Sequence, residues 1–84
     1  MKGKHFKVLQ AVFAKPTRTS ITFTDLEALI ISVGGEIIQR GGSRMAFTMR
    51  TARLDMHRPH PGKEAKRYQV EELRHWLTLL EITP

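Results

Sequence analysis

The chain has 84 residues, enough for one domain with a small core. Its 40% hydrophobic content excludes a disordered chain, and the absence of cysteine excludes disulfides and thiolate metal sites. The net charge of +6 favours a polyanionic partner, nucleic acid ahead of an anionic membrane surface, because no apolar run approaches spanning length and no helical pattern sets a lysine-rich face against a strongly apolar one.

A chain without cysteine suits a reducing cytoplasm, the expected location, and the start, Met-Lys-Gly-Lys-His, lacks the apolar region of a secretory signal. Lys4 to Ala14 then carries Phe6, Leu9 or Gln10, and Phe13 at helical spacing, with Val8 and Val12 alongside. That spacing predicts a short amphipathic helix ending before Pro16, since the residue ahead of a proline avoids the α region. Lys2, Lys4, Lys7, Lys15 and Arg18 all precede the first acidic residue, Asp25. The segment is a basic arm or a packed helix, and its apolar positions favour packing.

Residues 16–20 read as a linker. Thr22 or Thr24 caps a second helix, with Asp25 and Glu27 in the first turn, where the helix dipole favours negative charge. Leu26, Leu29, Ile30 and Val33 form its apolar face and Gly34-Gly35 its stop. From Glu36 the period becomes two: a strand over Glu36 to Arg40, a turn at Gly41-Gly42-Ser43, and a strand over Arg44 to Arg50. Met45, Phe47 and Met49 share one face of that second strand. A third strand, Arg53 to His57, points Leu54 and Met56 inward and Arg53, Asp55 and His57 outward.

The closing helix runs from Gln69 to Glu81. Val70, Leu73, Leu77 and Leu80 make its stripe, Trp76 lies beside it, and Glu71 and Glu72 sit near its start. The expectation is an α+β fold of order α-α-β-β-β-α, a three-stranded antiparallel sheet with helices on one face. Leu29, Ile30, Phe47, Leu54, Leu73 and Leu77 are its expected core. Residues 1–20 form an extension and linker, and residues 21–84 the domain proper.

Chemistry concentrates in His57-Arg58-Pro59-His60-Pro61-Gly62-Lys63, continuing Glu64-Ala65-Lys66-Arg67, a stretch too interrupted by proline for a helix interior or a central strand. Histidine titrates near neutrality and serves as general acid or base. A lone surface histidine such as His57 is more often merely polar, whereas His60, between Pro59 and Pro61, sits on a rigid loop that suits a positioned group. His5 and His75 fall within helical patterns and are assigned no role. His-x-x-His across a proline lacks the single-face geometry of helical ligand pairs, and no cysteine or paired carboxylate completes a shell, so no metal and no cofactor is expected. Gly41-Gly42-Ser43 is a hairpin turn that delivers Arg44, with the Ser43 hydroxyl, to a strand start, where a guanidinium grips phosphate by two parallel bonds. Arg58, Lys63, Lys66 and Arg67 extend this phosphate-contacting set. Cations at a helix entrance oppose the dipole, a conflict that a bound phosphate relieves; a solvated basic loop is the alternative.

With these residues assembled, the chain resembles the HicA family of toxin–antitoxin mRNA interferases from about Phe23 to Pro84. The similarity consists of a short helix, the Gly-Gly-Ser turn before an alternating strand, the His-Arg-Pro-His-Pro-Gly-Lys-Glu loop, and the closing amphipathic helix. The loop is its specific part, and the helix through Ala14 lies outside the family's usual core. The resemblance implies a fold like that of double-stranded-RNA-binding domains, metal-independent binding and cleavage of mRNA, and neutralisation by a HicB-type antitoxin protein. The family's usual turn is Gly-Ser-His, with a catalytic histidine; here Gly42-Ser43 is followed by Arg44, so the catalytic position is changed.

The expected function is therefore endoribonuclease action. His60, with His57 second, would move protons, while Arg44 and Lys63 hold the phosphate. The alternative is a non-catalytic RNA-binding or antitoxin-binding module that holds RNA by shape and phosphate contacts.

Overall fold

The computed structural model describes residues 3–84; Lys2, counted above among the basic residues of the first segment, lies outside them. The elements are α1 (Lys4–Val12), α2 (Phe23–Ser32), β1 (Glu36–Gln39), β2 (Arg44–Met49), β3 (Ala52–His57) and α3 (Arg67–Leu79). They form an α+β domain of order α-α-β-β-β-α around an antiparallel sheet of strand order β1-β2-β3. Short hairpins join successive strands, which leaves them no other arrangement than antiparallel neighbours.

Met45, Phe47, Met49 and Met56 line the inner face of the sheet and are buried with Leu26, Leu29 and Ile30 of α2 and Val70, Leu73 and Leu77 of α3. The Phe23 ring stacks on that of Phe47, centroids 6.0 Å apart and planes inclined by 20°. Leu54, expected in the core, is half-buried because β3 is an edge strand with one neighbour. Ala46, on the outer face, is nonetheless fully buried, since its small side chain lies between Ile38 and Asp55 on the flanking strands.

The first helix is packed and shares this core. Val8, Leu9 and Val12 are buried, with α2 and α3 as the helix's neighbours, and Lys4 Nζ lies 3.4 Å from Asp25 Oδ1. A helix C-terminus leaves carbonyls open, and here α3 meets them. Arg74 Nε donates to Val12 O at 2.9 Å, and Nη2 donates to Ala14 O at 3.2 Å and to Thr17 Oγ1 at 2.9 Å.

Thr22 caps α2, its Oγ1 accepting from Asp25 N. The helix ends at Ser32 and the chain turns away at Gly34, whose φ of 98° only glycine adopts freely, with Gly35 N–H returned to Ile30 O at 2.8 Å. Gly35 is needed for a different reason: a Cβ there would lie 2.5 Å from Ile30 Cγ2 and 3.0 Å from Thr48 O. The closing helix begins at Arg67, two residues before the periodicity suggests, because Gln69 Oε1 accepts from Lys66 N–H at 2.9 Å and completes half of a capping box. It ends at Leu79, with Glu81 in the left-handed region and Ile82 N–H bonded back to Leu77 O. No helix among the described residues is long and apolar enough to cross a membrane.

Candidate functional site

The helices cover one face of the sheet and leave the other open, and the strand register sorts the site residues onto it. Arg44 of β2 lies directly across from His57 of β3. Arg58 N–H donates to Ser43 O at 2.8 Å, so Ser43–Arg58 is a hydrogen-bonded pair and Arg44–His57 the adjoining non-hydrogen-bonded one. In such pairs the backbones approach to about 4.5 Å and the side chains lie closest. On the other side of Arg44, Arg40 extends the β1 ladder, its N–H bonded to Arg44 O at 3.0 Å. Arg40, Arg44 and His57 therefore form one row across the sheet.

Beside this row is a shallow depression of about 270 Å³, lined by Arg40, Arg44, Met45, Arg53, Asp55, Met56 and His57. Arg53 is paired with Asp55 at 3.0 Å, whereas among the described residues Arg40, Arg44 and His57 find no ion-pair partner. The two guanidiniums of this row, on an open concavity, concentrate field on any anion that enters it. The turn that presents Arg44 depends on Gly42, whose φ of 64° is left-handed.

The loop after β3 is fixed at both ends. At its start, Arg58 turns to the helix side of the sheet: Nε and Nη2 meet Glu27 Oε2 at 2.9 and 2.8 Å, and Nη1 meets Gln39 Oε1 at 2.7 Å. That guanidinium is committed to holding α2 and β1 together. At its end, Lys63 O accepts from Phe23 N and Ala65 N–H donates to Ile21 O, a short antiparallel bridge to the segment that starts α2. His60, Pro61 and Gly62 are exposed between these anchors. Lys63, Lys66 and Arg67 are exposed on the approach to α3, Lys66 standing as its cap residue and Arg67 as its first residue. Ser43 is exposed at the hairpin tip.

The structure thus brings Arg44 and His57 together, places Ser43 next to them, turns Arg58 away, and sets His60 beyond Arg58 on the following loop. Arg40 and Arg53 join the site without having stood out in the sequence. Their positions on the outer face follow from the strand alternation once the register is known. Gln69 is a third addition. It is 1% exposed, and its amide bridges the Lys66 N–H and, through Nε2 at 2.7 Å, the His57 carbonyl, tying the end of β3 to the start of α3. Its spacing of three residues from the cap was the available signal.

Among the described residues no cluster of histidine and carboxylate side chains is arranged to hold a metal ion. No protein-family model, curated protein or solved structure matches the chain.

Proposed function

We propose that this protein is a HicA-like, metal-independent endoribonuclease that acts on mRNA and is held inactive by a HicB-type antitoxin. One observation carries the reading. An imidazole, His57, stands in the closest cross-strand register with Arg44 on an open face that Arg40 and Arg44 make cationic.

Cleavage without a metal requires the ribose 2′-OH to lose its proton and attack the adjacent phosphorus. The bond to the 5′-oxygen then breaks and that oxygen takes up a proton, leaving a cyclic phosphate and a 5′-OH. Arginine stays protonated, so Arg44 cannot be the base; its place is on the phosphate, where it stabilises the charge that develops. His57 is adjacent to that phosphate position and is assigned proton transfer ahead of His60, the second imidazole near this end of the sheet. Ser43, Lys63, Lys66 and Arg67 extend the phosphate path. The antitoxin is acidic and covers the Arg40–Arg44–His57 row, its carboxylates competing with RNA phosphate for the same cations.

The test is incubation of purified protein with RNA in EDTA, alongside the same RNA lacking the 2′-OH at the cut site. Cleavage of the first to cyclic-phosphate ends, with the second bound and intact, is expected. His57→Ala should abolish cutting with binding nearly unchanged, and Arg44→Ala should impair both. RNA bound but never cut would replace the enzyme with a binding module, and RNA neither bound nor cut would refute both readings.

A further inference from the structure

The sheet has two edges, and they are finished differently. At β3, Gln69 Nε2 covers the outward-pointing carbonyl of His57, and the exposed side chains on the outer face are Arg53, Asp55 and His57. At β1, Glu36, Ile38 and Arg40 direct their backbone groups toward β2, as the Arg40–Arg44 bond shows. By alternation the N–H and C=O groups of Ile37 and Gln39 point to the open side, and among the described residues no backbone partner meets them. An edge of this kind is a template for another strand, and proteins usually blunt it with charge or proline. Here the edge carries one charge of each sign, Glu36 and Arg40, and between them an isoleucine, Ile38, 40% exposed on the outer face.

We infer that β1 is a self-association edge, and that a second copy of this chain pairs with it antiparallel about a two-fold axis at Ile38. The edge itself selects the register. Hydrogen bonds can form only between residues whose backbone groups face outward, which pairs Ile37 with Gln39 of the second copy and Gln39 with its Ile37. Ile38 then meets its own symmetry mate as a non-hydrogen-bonded pair, the geometry in which side chains come closest. Glu36 falls opposite the second copy's Arg40, twice by symmetry. Shifting the register by one step along the outward-facing positions loses both the charge match and the Ile38 contact. The strand is thus complementary to itself in sign, in apolarity and in hydrogen bonding at one register, as an isologous interface requires. The paired copies form one continuous sheet with both Arg44–His57 rows on the same side. The association does not rest on the ribonuclease reading, and its test involves no RNA.

Sedimentation over a range of protein concentrations should give a species of about twice the 9.6 kDa chain mass. Glu36→Arg and Arg40→Glu, each placing like charges opposite one another, should each weaken the dimer at least about tenfold, and Ile38→Lys should do the same. The double variant carrying both charge reversals should recover most of the lost affinity, because the pairs are restored with their signs exchanged. Circular dichroism verifies the fold of each variant, and all three positions are exposed. A monomer at millimolar concentration would overturn the inference. So would a dimer indifferent to these changes, or a double variant no stronger than the singles.

Discussion

Replacing Arg74 by methionine keeps the aliphatic stem and removes the guanidinium that joins α3 to the end of α1. Three bonds are lost, to Val12 O, Ala14 O and Thr17 Oγ1. Hydrogen bonds to a charged group are each worth about 1.5–3 kcal/mol. The three share one side chain that is half-buried, and water can reach the freed carbonyls, so the sum falls well short of three separate bonds. The expected loss is about 2–3 kcal/mol, which in a domain of this size lowers Tm by about 10–20 °C.

The loss should also have a location. Hydrogen exchange should show the α1 amides losing protection first, because the bonds removed lie at that helix's C-terminus, while β2 amides keep theirs relative to global unfolding. Arg74→Lys, which keeps the charge and can reach one carbonyl, should fall between the two. Thr17→Val should cost less in the Arg74→Met background than in wild type, since the Thr17 hydroxyl joins Arg74 to Glu71 Oε2 at 2.9 Å. A melt within about 2 °C of wild type, or full α1 protection in the variant, would refute the role given to this contact.

Phe47→Ala should cost about 3–5 kcal/mol, because the ring is wholly buried and stacked on Phe23; a thermal melt close to wild type would show the core to be arranged differently. Neutralising Lys63, Lys66 and Arg67 together to glutamine should lower the slope of log Kd for RNA against log salt by about 2, if each contacts a phosphate of a single strand. Lys7→Gln with Lys15→Gln is the control, both being exposed and away from the open sheet face. Equal slopes from the two sets would mean a generic basic surface in place of a defined path.

Element types and their order follow from local signals that do not depend on the rest of the chain. A period of about 3.6 along Leu26–Ile30 and Val70–Leu77 and a period of two along Arg44–Met49 report which face meets apolar neighbours. Thr22 and Gly34 act within a few residues of themselves, and the structure uses the first as the cap of α2 and the second as the left-handed turn that follows it. The inward set Met45, Phe47 and Met56 was likewise readable from alternation alone.

What the residues do for the site was decided elsewhere. Neighbours in sequence, His57 and Arg58 take opposite sides of the sheet, one facing Arg44 and the other Glu27 and Gln39. Arg74 finds its carbonyls 62 and 60 positions away, and Gln69 reaches back to His57 across the loop. A side chain's local sequence states its chemistry, whereas its partner is whichever group the folded chain brings within hydrogen-bond reach. Over such separations that is a property of the packed core and the strand register, and no periodicity along the chain encodes it.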